Sequence, residues 1–269
     1  MDFTGQIRRS HQKRLVVFSG AGLSADSGIS TFRGEDGTWA SHSLDEVCNI
    51  HSWKRNFDLV HRFYNDLRTG LQTVQPNAMH KLLADWQRRF GAELITQNID
   101  NLLERSGAEN VLHLHGSLPE MKCEACGRIW QIGLREWDQD RERCTCNSRK
   151  GVKPNAIFFG ETAPAYLQLR KTMKTLKRDD VLVVIGTDGA VVPIGSFAAE
   201  APCRTVINTL APVPAERWRP GMVKPEMFDR TVYRRAVEAV DDIDEIVTAW
   251  MKASPVEKTF TEESKNDHE

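Results

Sequence analysis

Four cysteines fall in one short stretch, Cys123-x-x-Cys126 and Cys144-x-Cys146, with residues 127–143 between the pairs. Two thiolate pairs across a short loop can close a tetrahedron around Zn²⁺ and leave no position open for catalysis. Such a metal staples a segment too small to build its own core. The second pair is tighter than the usual two-residue spacing, and free thiols in a reducing compartment are the alternative. A second cluster, Gly20-x-Gly22-x-x-Ala25, follows the apolar run Leu15-Val16-Val17-Phe18. Glycines between a strand and a helix let backbone N–H groups approach a pyrophosphate; a plain tight turn is the other reading. A hydride-transfer enzyme places an acidic residue about 20 positions further on, at a second strand's end. Here that region reads Gly37-Thr38-Trp39-Ala40, which disfavours hydride transfer and leaves a dinucleotide open. A third set, Gln97, Asn98 and Asp100, follows the short apolar run Glu93–Thr96, and His115 follows Val111–Leu114. Short polar groups at carboxyl ends of strands are where open α/β sheets bind ligands, although the same residues also make ordinary turns. An imidazole with an unperturbed pKa of about 6.5 suits a general base near neutrality; a lone histidine is otherwise structural or exposed.

The elements that must position these groups read as alternating strands and helices. Strands are expected at 14–18, 93–96, 111–114, 156–159, 181–185 and around Val206-Ile207. Helices are expected over 46–68 with one break, from Asn77 past Trp86, over 164–177 and over 241–252. Apolar strands separated by helices predict a parallel sheet covered on both faces. The 269 residues carry 36 Lys plus Arg against 37 Asp plus Glu, a net charge of -1. That balance disfavours a protein that lives on nucleic acid, since phosphate binding demands a basic excess. No apolar run approaches the roughly 18 residues of a membrane span, and the polar start lacks a signal-peptide core, so the expected place is the cytoplasm.

The longer string Gly20-Ala21-Gly22-Leu23-Ser24-Ala25-Asp26-Ser27-Gly28-Ile29-Ser30-Thr31-Phe32-Arg33-Gly34 resembles the first signature of the sirtuins, the NAD-dependent protein lysine deacylases. Thr96-Gln97-Asn98-Ile99-Asp100 resembles their second signature, and His113-Leu114-His115-Gly116 their catalytic-histidine motif. Phe158-Phe159-Gly160-Glu161, then Gly186-Thr187 with Pro193, complete the ordered set. The likeness runs from about Leu15 to Val240. It implies a Rossmann-like parallel sheet with helices on both faces and a smaller inserted zinc-binding and helical domain. Residues 1–35, 76–117 and 153–252 would form the discontinuous NAD-binding domain. Residues 36–75 and 118–152 would form the small domain, and 253–269 a flexible tail.

The resemblance also implies the chemistry. NAD takes the acyl group from an acylated lysine of a protein substrate, releasing nicotinamide, O-acyl-ADP-ribose and free lysine. His115 is implied as the base toward a ribose hydroxyl, with Asn98 and Asp100 orienting the ribose and a water. Gly20, Ala21, Gly22 and Ser24 would hold the cofactor together with Phe32, Arg33, Gln97 and Ile99. Gly186, Thr187 and Asp188 would lie toward its phosphates, and Asn208 and Ala236 toward adenosine. Phe159 and Gly160 would meet the substrate, and Cys123, Cys126, Cys144 and Cys146 would hold structural zinc. No direct contact with nucleic acid or membrane is implied, and the oligomeric state is left open. ADP-ribosyl transfer, NAD hydrolysis or a non-catalytic NAD sensor are the competing readings.

Thr31, followed by Asp36-Gly37-Thr38-Trp39, resembles the bacterial branch related to the mitochondrial desuccinylases. That branch reads acidic acyl groups with a Tyr-x-x-Arg pair. Here Tyr64 is followed by Leu67, and Arg68 lies one residue later, about 100° around the helix. Tyr64 and Leu67 are either a substrate pair or ordinary helix-face residues, and an uncharged acyl group such as acetyl is expected. Asp188 stands where a serine is usual, and Thr209-Leu210 after Asn208 lacks the common acidic residue.

Overall fold

A computed structural model of the chain describes residues 12–30 and 43–253. In chain order its elements are β1 (Leu15–Ser19), α1 (Gly22–Ala25), α2 (Leu44–Val47), α3 (Phe57–Thr73), α4 (Ala78–Phe90), β2 (Glu93–Thr96), α5 (Leu102–Arg105) and β3 (Leu112–His113). There follow β4 (Gly116–Cys123), β5 (Ile129–Gln131), β6 (Val152–Ala156), α6 (Ala165–Lys174), β7 (Val181–Ile185), α7 (Ile194–Glu200), β8 (Arg204–Thr209), β9 (Arg230–Tyr233) and α8 (Val240–Lys252).

Six strands pair in parallel in the order β3-β2-β1-β7-β8-β9. The central strands Leu-Val-Val-Phe-Ser and Val-Leu-Val-Val-Ile are buried at every position. That is the sequence signature of parallel strands covered on both faces. Alternate side chains then go to opposite sides. Leu15, Val17, Val181 and Val183 pack with Met79, Leu83 and Trp86 of α4 and Ile243 and Val247 of α8. Val16, Phe18, Leu182 and Val184 pack with Leu169 and Met173 of α6 and Ile194 and Ala198 of α7. The sequence runs outward from β1 to β2 and β3 on one side and from β7 to β8 and β9 on the other. The carboxyl ends of β1 and β7 therefore form the switch point where open sheets bind ligands.

α4 starts where Asn77 caps it: its side chain accepts from the Met79 and His80 N–H groups, while the Asn77 N–H donates to His80 Nδ1. It ends at Gly91, whose left-handed φ of 66° stops the helix.

β4, β5 and β6 form a separate antiparallel sheet, ordered β5-β4-β6. Gly116 opens β4 with φ 84°, and a Cβ there would sit 1.9 Å from the Asn155 carbonyl oxygen. One apolar cluster joins Val47, Trp53, Phe57, Val60 and Phe63 to Leu118, Ala156 and Phe158. Another, with Met121, Trp137 and Val152, encloses Cys123 and Cys144.

Several elements go beyond expectation: β5, β9, α5 and α7 had no counterpart among the expected ones. The helical pattern over 46–68 breaks once as expected, into α2 and α3 with residues 48–56 between them. The strand expected at 156–159 lies earlier, at Val152–Ala156, because pairing with β4 fixes it there. β4 itself, Gly-Ser-Leu-Pro-Glu-Met-Lys-Cys, has no apolar alternation that would announce a strand, and Pro119 masks it further. Among the described residues no helix is long and apolar enough to cross a membrane.

Candidate active site

The glycine turn is dictated by close packing. Gly20 N–H donates to Ile185 O and Gly22 N–H to Gly186 O, both at 2.9 Å, tying the ends of β1 and β7 together. A Cβ on Gly22 would come within 2.7 Å of Gly186 Cα, and one on Gly20 within 2.8 Å of Thr187 Cβ. Only glycine permits that approach. The Leu23 and Ser24 N–H groups turn back onto Gly20 O and Ala21 O. The Ala21 N–H has no partner among the described residues, so it is the donor that this turn leaves for a ligand.

The loop after β2 is held from three sides. Gln97 donates from Nε2 to Thr187 Oγ1 at 3.0 Å, bridging the ends of β2 and β7. Ser24, buried beneath the turn, donates from Oγ to Asp100 Oδ2 at 2.9 Å and accepts from Asn98 Nδ2 at 3.1 Å. His80 supports Ser24: its Nδ1 accepts from the Asn77 N–H, so Nε2 carries the hydrogen and points at Ser24 Oγ, 3.3 Å away. Burial holds His80 neutral, its pKa pushed down to about 4. Asp100 Oδ1 accepts from the Leu102 N–H, and burial raises the carboxyl above its ordinary value. Ile99 fixes the loop through its carbonyl, which accepts from the Leu118 N–H at 2.7 Å.

Two histidines close the third side. His113 Nδ1 donates to Asn98 O at 2.8 Å, and His115 Nδ1 donates to Gln97 O at 2.9 Å. Because a carbonyl can only accept, the neutral His115 ring carries its proton on Nδ1 and its lone pair on Nε2. Burial lowers the His115 pKa, opposed by the Gln97 carbonyl, so the ring is a free base at neutral pH. That is the state general-base catalysis needs.

The remaining predicted residues divide. Gly186 and Thr187 stand at the switch point with the turn. Asp188 aims Oδ1 at the Ala190 N–H, 2.9 Å away, and accepts from the Val223 N–H through its own carbonyl. Asn208 is buried, and its amide is spent on Val232 O and Arg234 O, cross-linking the ends of β8 and β9. Its backbone carbonyl accepts from the Gly186 N–H, so the residue supports the switch point through its main chain. Ala236 is buried in the same cluster as Leu23. Phe159 is 45% exposed, and its backbone pairs with Cys48 O and the Ile50 N–H. Gly160 follows at φ 83°. Glu161 anchors that loop by ion pairs to the wholly buried Lys153 at 3.0 Å and to Lys122 at 2.6 Å. Phe32 and Arg33 lie outside the described residues.

Tyr64 is fully buried, stacked on Phe158 with its hydroxyl directed at Cys48 Sγ, 3.7 Å away. Leu67 packs against the same cluster. Arg68 is fully buried too, donating to Leu118 O at 2.9 Å and Asn65 Oδ1 at 3.0 Å. Tyr64, Leu67 and Arg68 all make their contacts inside this cluster and with the elements packed on it. Sequence reasoning missed His80, His113 and Tyr166. His80 had a signal, since it stands three residues after the capping Asn77. Tyr166, whose hydroxyl lies 2.8 Å from His115 Nε2, had none.

The four cysteine sulfurs all lie within 4.8 Å of one another, with Cys123 and Cys146 at 3.7 Å and Cys126 and Cys144 at 3.6 Å. Four sulfurs about 2.3 Å from one tetrahedral centre stand about 3.8 Å apart, so this donor set fits zinc. The tight Cys144-x-Cys146 pair closes because Asn147 takes a left-handed φ of 69° and donates back to Cys144 O. A dinucleotide fits the switch point equally well: an uncommitted amide, carboxamides and a neutral imidazole surround it, and the carboxylates of Asp100 and Asp188 already accept from N–H groups.

Residues 20–193 match the sequence model of the Sir2 family. The chain is 39% identical over 255 residues to an NAD-dependent protein deacylase of Helicobacter hepaticus, covering 86% of this chain and 96% of that protein. It is 37% identical over 243 residues to one of Campylobacter jejuni, covering 89% and 98%. Among solved structures, it resembles a Sir2 homologue in complex with NAD, with TM-score 0.73 and 28% identity over 89% of this chain and 91% of that one. It also resembles a mutant Sir2 homologue bound to ADP-ribose, with TM-score 0.75 and 28% identity over 90% and 95%.

Proposed function

The chain belongs to the Sir2 family, and from that premise we propose how its residues carry out NAD-dependent protein lysine deacylation. The observation that carries the assignment of roles is the neutral imidazole of His115, tethered by Nδ1 to Gln97 O at the switch point of the sheet. When bound there, NAD supplies an ADP-ribosyl acceptor for the acyl group of a protein lysine, with nicotinamide as the leaving group. His115 Nε2 takes a proton from a sugar hydroxyl. Asn98 and Asp100, braced by Ser24, orient that sugar and the hydrolytic water. Asp100 keeps its position because both of its oxygens are hydrogen-bonded. Ala21 N–H and the Gln97–Thr187 bridge meet the phosphate side, with Gly20, Gly22 and Gly186 giving the clearance. The products are nicotinamide, O-acyl-ADP-ribose and free lysine.

An uncharged acyl group, acetyl first, is the preferred cargo. Arg68, the residue after Leu67 on α3, is buried against Leu118 and Asn65 and offers no charge to a succinyl carboxylate. Cys123, Cys126, Cys144 and Cys146 would hold structural zinc. The six-stranded and three-stranded sheets support a division into a discontinuous NAD-binding domain and a small zinc-bearing one. Reduced thiols and NAD chemistry both suit the cytoplasm.

Incubation with NAD and acetyl-, succinyl- and longer acyl-lysine peptides, followed by mass spectrometry, tests this reading. O-acyl-ADP-ribose that disappears in His115→Ala supports it. Nicotinamide release without peptide would make the protein an NAD hydrolase, and NAD binding with no turnover would make it a sensor.

A further inference from the structure

His115 has one acceptor on its ring, and that acceptor is already in use. With Nδ1 committed to Gln97 O, the in-plane lone pair sits on Nε2, and the Tyr166 hydroxyl donates to it from 2.8 Å. Tyr166 is the second residue of α6, with its ring centroid 6.0 Å from the imidazole and tilted by 50°. It is half-buried at the edge of the cluster formed by Leu169 and Met173, and its neighbour Leu167 is 73% exposed. Burial raises the phenol and lowers the imidazole, so both partners are neutral at neutral pH and the bond has one polarity. A neutral imidazole cannot accept from two hydroxyls along one lone pair. A sugar hydroxyl and Tyr166 therefore compete for the same position.

We propose that Tyr166 is a positioning residue that caps the proton-accepting nitrogen of His115 in the free protein and is displaced from it by the incoming sugar hydroxyl. The cap rests on the reading of His115 as the base. It holds the ring in its reactive tautomer until the ligand arrives, at the cost of one hydrogen bond on binding. Because the residue sits at the start of a short helix with an exposed neighbour, rotating its side chain outward disturbs no strand. The same contact would act differently in a relay, where the tyrosine oxygen receives the sugar proton while passing its own to Nε2.

Tyr166→Phe removes the hydroxyl and keeps the ring. In the free protein, with no NAD or peptide, the His115 titration is followed by NMR on labelled histidine, its signal assigned by its loss in His115→Asn. Donation to Nε2 favours the neutral ring, so the variant should titrate at a pH higher by about 0.5 to 1. An unchanged titration would overturn the cap. In the deacylation assay, kcat/KM for NAD should rise about 3- to 10-fold, the Boltzmann weight of one ordinary hydrogen bond. An unchanged kcat/KM would equally overturn it, and a fall in kcat of about 100-fold would replace the cap by a relay. If the unaltered protein does not deacylate at all, the proposed function fails on that ground, and the titration still judges the cap by itself.

Discussion

His113 and His115 donate from Nδ1 to consecutive carbonyls, Asn98 O and Gln97 O, yet their surroundings drive their protonation in opposite directions. Burial lowers both, but the Glu104 carboxylate, 2.8 Å from His113 Nε2, more than offsets it there and keeps His113 charged to higher pH. His115 has no such partner and falls below its ordinary value. One ring is a charged clamp, and the other is the neutral ring that we propose as the base. The acid limb of the kcat/KM profile should therefore inflect below pH 6.5, the unperturbed histidine value. His113→Gln should lower the rate while leaving that inflection in place. An inflection above 6.5 would remove His115 as the titrating base.

Two other histidines set the stability profile. His61 and His80 are fully buried and pushed down to about 4 by burial. The unfolded chain protonates them near pH 6.5, whereas the folded chain resists until about 4. Stability contributed by these neutral rings is complete above 6.5 and is lost as pH falls through that window. Each should cost roughly 1–2 kcal/mol by pH 5. Urea midpoints at pH 7.5 and 5 measure the loss, and His80→Gln should reduce it.

Asp100→Asn removes an acceptor from the Ser24 hydroxyl and substitutes a donor. Ser24 already accepts from Asn98. The loop should lose its orientation, lowering kcat/KM about 10²-fold with a change in unfolding free energy under about 1 kcal/mol. Steady-state kinetics beside urea denaturation separates the two. A variant with ordinary kinetics would show that the carboxylate is structural only.

Arg68→Met should destabilise the protein by about 1–3 kcal/mol, because the Leu118 carbonyl loses its buried donor. It should leave the ratio of acetyl to succinyl turnover unchanged. A selective loss of succinyl turnover would place Arg68 at the substrate site.

Purified protein should carry stoichiometric zinc by elemental analysis, and Cys144→Ser should lose it. The small cluster around Cys123, Cys144 and Trp137 is too limited to hold three strands without the metal. The melting temperature should drop by several degrees, and chelation of the unaltered protein should reproduce the drop.

The legible part of this fold was what packing alone dictates. Val181–Ile185 announces itself because a strand buried on both faces must be apolar throughout, and α8 because its stripe repeats at helical spacing. β4 was invisible because its partners, β5 and β6, supply its identity. The site split along the same line. Gly20, Gln97 and His115 were legible from type and position after strands, and the structure brings them to one switch point. His80 and Tyr166 reach the site from a helix cap and a distant helix start, contacts between residues far apart in sequence. Asn208 and Tyr64 carry groups that suit ligands, and in the structure those groups are engaged within the protein.

Gly116 follows His115 directly, and its missing side chain is what lets β4 lie against β6. In a saturation library scored for activity, this position should tolerate a single letter, while its neighbour Ser117 accepts several. Any lineage descending from this sequence could then drift at the exposed positions of α3, such as Asp58, Arg62 and Asp66, and still be unable to take one step at 116. The narrowest passage in its evolutionary landscape would lie beside the proposed base, at a residue that performs no chemistry.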